Sequence, residues 1–168
     1  MTVATRQWLA IALLAAGCRA GPEVAAPSGA TALGMKLSGA LPHLDGQRAE
    51  LADVRGKVAL VDFWATWCEP CRKELPAFDA LAKEYAGRLQ VVAVSVDEDD
   101  KPIGPFVAGA GLHLDVLWDK GGVVADRYHV SDLPTTLVLD KTGTVRFVHS
   151  GGGDEAAIRA EVAQLVGP

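Results

Sequence analysis

Cysteine is scarce in this 168-residue chain, which contains only Cys18, Cys68 and Cys71. Because three cysteines cannot all pair with one another, the one that stands alone needs its own explanation. An excess of basic residues is also missing: the formal net charge is −5, which argues against nucleic acid as a partner. What remains is ordinary for a globular protein, with 49% hydrophobic and 22% charged residues and enough length for one domain with a proper core.

The first apolar run of the chain, residues 8–16, is too short to span a bilayer, which takes ~20 apolar residues. It follows Arg6 and ends in small residues, which is typical of a secretory signal peptide. Its end, LLAAGC, resembles the lipobox of bacterial lipoproteins, in which the cysteine is acylated and becomes the first mature residue. This resemblance implies a signal peptide at residues 1–17 and lipidation at Cys18. Because Ala15 stands where leucine is commonest, an ordinary signal peptide remains the alternative.

Export would place the protein in an oxidising compartment, where cysteines form disulfides or act in redox catalysis. Arg19 follows the lone cysteine, and no aspartate retention signal stands there, so a diderm host is expected to hold the anchor in its outer membrane, facing the periplasm. Residues 18–32 are rich in Ala, Gly, Pro and Ser and are interpreted as a lipid-anchored tether. Residues 33–168 are predicted to form the folded domain.

The order of apolar patterns in this domain predicts an α/β fold. An Asp45–Gly46 turn indicates an N-terminal β-hairpin. Residues 58–65 and 89–97 are nearly continuous apolar runs, typical of strands buried on both faces. Residues 69–85, between them, carry an apolar stripe at helical spacing, so the two strands are expected to be parallel.

The rest of the domain completes a central mixed sheet flanked by helices. Further elements are predicted along the chain: short helices at 103–110 and 122–128, an extended piece at 116–118, antiparallel strands at 135–140 and 144–150, and a terminal helix at 154–166. Asp154 is the expected N-cap of that helix. Ala157, Ile158, Val162 and Leu165 are expected on its buried face.

The stretch FWATWCEPCRKELP, residues 63–76, holds Cys68 and Cys71 two residues apart. A zinc site needs four ligands, but no other cysteine lies in the domain and the four histidines are scattered, at positions 43, 113, 129 and 149. Covalent haem needs a histidine directly after the second cysteine, where Arg72 stands. A structural disulfide across two residues closes too small a loop to constrain the unfolded chain much. Redox catalysis is therefore the favoured interpretation of the cysteine pair.

The acidic run 97–100 lacks the spacing and glycine of an EF-hand and is interpreted as a solvated loop.

The position of Cys68 between a buried strand and a helix supports that interpretation. Unpaired backbone N–H groups at a helix N-terminus favour an anion, so the pKa of Cys68 should be lowered and its thiolate should act as the nucleophile. Pro70 is tolerated in the first turn, where its missing N–H is not needed. Cys71, one turn further in, is expected to resolve the mixed disulfide. Trp67 is expected to cover the active surface, with plain packing as the alternative.

Three stretches, FWATWCEPCRKELP, YHVSDLPTTLVLD and KTGTV, resemble the thioredoxin superfamily, and more narrowly its exported TlpA/ResA-like thiol-disulfide oxidoreductases. The resemblance covers nearly all of the chain from residue 33 onward and implies a thioredoxin-like fold. It also implies that Pro134 is cis and lies against the cysteine pair, and that Leu133 pairs with the substrate backbone. From the sequence alone, a trans proline that opens a strand is the alternative.

Proton transfer requires a group near Cys71, because a thiol attacks only as its thiolate. Asp62 interrupts the apolar strand, and burial there should raise its pKa so that it accepts a proton near neutral pH. Thioredoxin itself carries a buried acid at the same position. Glu74 lies on the face of Cys71 one turn further along the helix. In the ResA-like group, a glutamate at this offset is tied to the pKa values of the site. A solvated surface charge is the alternative for Glu74.

The resemblance implies a reductase that exchanges disulfides with other proteins, without a cofactor because the cysteine pair is the redox centre. Electrons would come from a membrane thiol transporter of the DsbD/CcdA type, and targets would include apocytochrome c or a copper-site assembly protein. Two alternatives stay open, a copper-binding module that uses the two thiols and a peroxiredoxin-like peroxidase. The peroxidase requires a threonine three residues before its cysteine, where Ala65 stands.

Overall fold

The structure of the protein, a computed structural model, describes residues 30–168. The predicted signal peptide, Cys18 and most of the predicted tether lie outside this range. The described chain opens with a 3-10 turn, Ala30–Ala32, and Ala32 is fully buried in the core. Within the described range, no helix has both the length and the apolar character needed to cross a membrane.

Seven strands in residues 30–168 form a small sheet and a large one. The strands are β1 (Ala40–Pro42), β2 (Arg48–Glu50), β3 (Val58–Trp64), β4 (Leu89–Ser95), β5 (Asp115–Trp118), β6 (Thr135–Leu139) and β7 (Val145–Ser150). Strands β1 and β2 pair antiparallel, which confirms the predicted hairpin. The other five form one mixed sheet in the order β5-β4-β3-β6-β7, in which β3 pairs parallel with β4 and antiparallel with β6.

Four α-helices accompany the sheet in this part of the chain. They are α1 (Glu69–Glu84), α2 (Ile103–Gly109), α3 (Val123–Arg127) and α4 (Glu155–Val166). Helix α1 connects β3 to the parallel strand β4, as the strand–helix–strand order predicted. The predicted architecture, a mixed sheet flanked by helices and preceded by a hairpin, is therefore confirmed.

The central strand β3 is buried on both faces over its whole length. Ala59, Val61 and Phe63 point into the cluster that contains the hairpin and α3. Val58 and Leu60 point the other way, into the cluster formed with α1 and α4. Asp62 falls on this second face by the same alternation, so its carboxylate is directed toward the helix that carries the cysteines.

The segment that leads into the N-terminal hairpin is fastened to the body of the domain by Tyr128, which is fully buried at the end of α3. Its hydroxyl donates to the carbonyl of Lys36 at 3.0 Å and accepts from the backbone N–H of Ser38 at 2.7 Å. Leu41 in β1 is buried in the same core cluster. The hairpin therefore covers the face of the sheet opposite to α1 and α4.

The terminal helix has the predicted N-cap residue, but one of its predicted core positions is wrong. Asp154 occupies the N-cap position but makes no capping hydrogen bond, because its carboxylate binds His149 at 3.0 Å instead. Ala157 is exposed rather than buried. The buried positions are Ile158, Val162 and Val166, which follow one another at four-residue spacing and leave Ala157 off the stripe.

Candidate active site

Cys68 and Cys71 form a disulfide at the N-terminus of α1. Cys68 is the N-cap residue, and its sulfur accepts a hydrogen bond from the backbone N–H of Cys71 at 3.3 Å. The exposed fraction of Cys68 is 5% and that of Cys71 is 0%, so Cys68 is the sulfur nearer to solvent. Because a helix N-terminus stabilises negative charge, this geometry favours a Cys68 thiolate in the reduced protein.

The peptide bond between Leu133 and Pro134 is cis, at the entry to β6. Pro134 lies near Pro70 of the CXXC motif, since a Cβ built on Gly152 would lie 3.3 Å from the Cγ of Pro134 and 3.4 Å from the Cβ of Pro70. Leu133 is half-buried and packs against the cluster that contains both cysteines. The cis bond that the resemblance implied is therefore present, whereas the pairing of Leu133 with the substrate backbone stays a prediction.

Trp67 is the most exposed large apolar side chain of the described residues, at 71% exposure. Together with Leu133 it lines a cavity of about 250 Å³, which Val96, Ala125 and Val130 also line. Trp64, by contrast, is fully buried beneath the site. An exposed indole beside an apolar hollow is a surface suited to a polypeptide partner.

Asp62 is fully buried in β3, on the face of the strand that packs against α1 and α4. Thr136 on the neighbouring strand donates its hydroxyl to Asp62 Oδ1 at 2.9 Å. Oδ2 is buried and has no hydrogen-bond partner among the described residues. Burial raises the pKa of Asp62 well above its ordinary value; the bond from Thr136 opposes the rise, and the nearby Glu74 adds to it.

Glu74 is buried as well, with 8% exposure, so it is not a solvated surface charge. Its Oε1 accepts a hydrogen bond from the backbone N–H of Gly153 at 2.7 Å, whereas Oε2 is buried without a partner in the described part of the chain. Burial raises the pKa of Glu74, the bond from Gly153 opposes the rise, and Asp154 and Glu155 add to it. Two carboxyls with raised pKa values therefore accompany one cysteine pair.

Asp97 was predicted to lie in a solvated loop, and this prediction is wrong. It is buried, and its carboxylate accepts hydrogen bonds from the backbone N–H of Thr66 at 3.0 Å and from the hydroxyl of Thr66 at 2.7 Å. The hydroxyl of Ser95 donates to the same carboxylate at 2.7 Å. Asp97 thus anchors the turn that leads into the cysteine pair, a role that only the folded structure reveals.

Charged side chains on the outer face of α1 interact with groups other than the two cysteines. Lys73 lies 3.2 Å from Glu69 in an exposed ion pair, and the Arg72 guanidinium stacks over the Phe106 ring at 5.4 Å. No group of three or more potential metal ligands lies together in residues 30–168.

The fold and site define a class of protein, the dithiol–disulfide oxidoreductases of the thioredoxin superfamily, in which a CXXC pair caps a helix opposite a cis-proline. The chain belongs to the AhpC/TSA family, whose sequence profile matches residues 31–148.

A thioredoxin-like relative and thiol-disulfide oxidoreductase relatives support this assignment. The chain is 44% identical over 114 residues to the thioredoxin-like protein YneN of Bacillus subtilis, a match that covers 66% of each chain. It is 34% identical over 129 residues to the thiol-disulfide oxidoreductase ResA of Halalkalibacterium halodurans, covering 76% of this chain and 73% of ResA. Other ResA relatives are matched over about 60% of their length.

A solved structure agrees with these relatives. The exposed lipoprotein thioredoxin of Streptococcus pneumoniae has a TM-score of 0.68 and 29% sequence identity, and the similarity covers 76% of this chain and 99% of that one. The thioredoxin-like fold predicted from the sequence is therefore confirmed, as is membership of the thiol-disulfide oxidoreductases.

Proposed function

We propose that this chain reduces disulfide bonds in exported proteins by dithiol exchange at Cys68 and Cys71. The observation that carries the proposal is the pairing of an N-cap sulfur with a fully buried partner sulfur, next to two buried carboxyls. The more accessible sulfur is suited to attack and the buried one to resolution. Asp62 and Glu74 are suited to hold the proton that the resolving thiol must lose.

The reaction begins with the reduced protein. The Cys68 thiolate attacks one sulfur of a substrate disulfide, which forms a mixed disulfide and releases the other substrate sulfur as a thiolate. Cys71 then transfers its proton to a carboxylate and attacks the Cys68 sulfur. The second substrate sulfur leaves, so two electrons have passed to the substrate and the Cys68–Cys71 disulfide remains.

The substrate polypeptide is proposed to lie across the surface formed by Trp67, Leu133 and Pro134. The apolar cavity between Trp67 and Leu133 supports this proposal, because it accepts an apolar side chain that flanks the substrate cysteine. The backbone of Leu133 is suited to pair with an extended substrate segment beside the cysteines.

The proposed location is a membrane outside the cytoplasm, and the proposed partners are an electron donor and protein targets. The sequence LLAAGC supports export and lipid anchoring through Cys18, and the similarity to an exposed lipoprotein thioredoxin agrees with it. Resemblance to the ResA-like group supports a DsbD/CcdA-type transporter as the electron donor. It also supports apocytochrome c or a copper-site assembly protein as targets.

A Cys71→Ala variant tests the exchange. It should attack substrate normally but accumulate as a mixed disulfide through Cys68, with turnover of insulin disulfides at least ~100-fold below wild type. Non-reducing electrophoresis and intact mass spectrometry detect the trapped species, and Cys68→Ala is the control that should trap nothing. Full turnover by Cys71→Ala would contradict the dithiol mechanism.

Two rival functions of the Cys68–Cys71 pair predict different activities. A copper-binding module would retain stoichiometric copper in the reduced state and would not turn over insulin, so copper titration and insulin reduction separate it from the proposal. A peroxidase of the peroxiredoxin type would consume peroxide. Ala65, in the position that this chemistry assigns to threonine, is fully buried and offers no hydroxyl.

A further inference from the structure

A cluster of polar side chains next to the redox site takes no direct part in the proposed exchange. His149, near the end of β7, lies with Nδ1 3.0 Å from Asp154 Oδ2 and with Nε2 2.7 Å from Glu161 Oε2. Only 13% of its side chain is exposed, so His149 is not a solvated surface histidine. The ring links the strand end, the residue before α4 and the helix itself.

The chain between the two ends of this cluster is the loop Gly151-Gly152-Gly153. All three glycines have positive φ, between 79° and 93°, and none has a side chain with which to fix the loop. The loop nevertheless meets the redox site closely. Gly153 donates its N–H to Glu74 Oε1 at 2.7 Å, and a Cβ on Gly152 would lie 3.1 Å from the same oxygen.

We propose that His149 is a positioning residue for the redox site. By binding Asp154 and Glu161 at once, it holds the glycine loop in the place where the Gly153 N–H meets Glu74. The inference rests on the proposed function, because it matters for exchange only if Glu74 helps to take the proton of Cys71.

Charge complementarity makes the clamp depend on pH. The ring faces the carboxylates of Asp154 and Glu161, with Glu74 nearby across the loop, and Thr136 is its neighbour on β6. Two carboxylate acceptors suit an imidazolium, which donates from both nitrogens. Burial lowers the pKa of His149, but the hydrogen bonds to the two carboxylates outweigh it and the net shift is upward. Above that pKa the ring retains one N–H, so one of its two bonds is lost.

The test uses NMR on the reduced full-length protein and three variants. His149→Gln removes the double clamp, and Asp154→Ala opens one side of it at a residue whose side chain is 57% exposed, so that its folding is at little risk. His43→Gln is the matched control, since His43 pairs with Asp115 at 3.2 Å at the opposite end of the sheet. Two quantities are measured: the exchange rate of the Gly153 amide proton and the carboxyl titration of Glu74.

The Gly153 amide should exchange at least threefold faster in His149→Gln and in Asp154→Ala, and at the wild-type rate in His43→Gln. The midpoint of the Glu74 titration should rise in His149→Gln. An unchanged Gly153 exchange rate in both clamp variants would overturn the inference, even with a shifted Glu74 midpoint, because the shift would then be a direct effect of charge. Insulin reduction by the wild type is measured alongside, and its absence would refute the proposed function instead.

Discussion

The buried carboxyl of Asp62 links the redox site to the stability of the domain. Burial raises its pKa in the folded state, whereas an unfolded chain has the ordinary value of ~3.9. The folded protein thus keeps a proton that the unfolded chain loses. This contribution to stability is fully present below the unfolded pKa and is lost as pH rises through the folded pKa.

Asp62→Asn should remove most of this pH dependence. Near pH 4 the variant and the wild type should have similar free energies of unfolding, whereas at pH 8 the variant should be more stable by about 1–3 kcal/mol, because it buries no charge. Urea unfolding of the oxidised proteins at both pH values measures the difference. The same variant should slow the release of a mixed disulfide at neutral pH by ~10²-fold or more, since the resolving thiol loses a proton acceptor.

Thr136→Val provides the complementary control for Asp62. Without the hydroxyl, the pKa of Asp62 should rise further, so the loss of stability should extend to higher pH. If Asp62→Asn showed the same dependence on pH as the wild type, a group other than Asp62 would carry the linkage.

Gly152 can lie close to the redox site because it has no side chain. Its φ of +79° costs an L-residue about 1–2 kcal/mol, and a Cβ would also press on Glu74 and Pro134. Gly152→Ala should therefore destabilise the protein and reduce insulin turnover severalfold. Gly151→Ala is the matched control, because its φ is +85° but nothing lies within 4 Å of its Cβ. Equal turnover by the two variants would show that the close approach of Gly152 is without functional effect.

The sequence predicted some residues of the site and missed others for a physical reason. Cys68, Cys71 and Asp62 can be recognised from a short stretch of sequence, because a CXXC motif and an acid inside an apolar strand are unusual patterns. His149 and the glycine loop carry no such signal, since their importance comes from contacts with residues far away in the chain. Glu74 was ambiguous in the sequence, because a helix face can be covered by a loop that helical periodicity does not predict.

At the scale of elements, the turn between β3 and α1 depends on an anchor from β4. Asp97 lies just beyond β4 and holds both the backbone and the hydroxyl of Thr66, two residues before Cys68. Trp118 also donates its indole N–H to the carbonyl of Asp97 at 2.8 Å. The end of one strand thereby fixes the start of the helix that carries the cysteines.

Asp97→Ala should lower the free energy of unfolding by about 3 kcal/mol, because it removes buried hydrogen bonds to a charged group. It should also lower the rate of insulin reduction, since the turn that presents Cys68 loses its anchor. Asp99→Ala, two residues along in the same acidic run, is exposed and should change stability by less than ~0.5 kcal/mol. Equal stability of the two variants would contradict the anchoring role.

The bounds of α1 and β3, whose apolar residues form a clear stripe or run, were predicted closely. Helix α1 ends one residue before the predicted boundary, and β3 also ends one residue early, because apolar stripes and runs reflect burial directly. The prediction of a solvated loop at residues 97–100 was wrong for Asp97. Four consecutive acidic residues have the composition of a solvated loop, and composition does not reveal that the first of them is buried. At the start of α4, the carboxylate of Asp154 binds His149 and makes no capping hydrogen bond to the helix.

At the scale of the whole molecule, the order of strands and helices sufficed to predict the α/β class. It did not reveal the row of residues that crosses the sheet at the site. Asp62 pairs with Ala93 on one side and with Thr136 on the other, and Thr136 pairs with His149. The buried acid thus has apolar surroundings toward β4 and polar ones toward β7, an asymmetry set by strand order rather than by any local pattern.

The direction of electron flow depends on the relative stability of the oxidised and reduced forms of the whole domain. The helix N-terminus at Cys68 stabilises a thiolate and so favours the reduced form. The buried carboxyls of Asp62 and Glu74 oppose a further negative charge beside them, which favours the oxidised form. A protein that donates electrons needs the second effect to dominate, so that its pair gives up electrons more readily when folded than when unfolded.

The oxidised protein should therefore unfold at a higher urea concentration than the reduced protein. The difference in free energy should be about 1.4 kcal/mol for every ~30 mV by which the folded couple lies below the unfolded one. Urea titrations of both forms, with the reduction potential measured against glutathione, close this thermodynamic cycle. A reduced form more stable than the oxidised form would identify the protein as an oxidant and overturn the proposed direction, while leaving the dithiol chemistry of Cys68 and Cys71 in place.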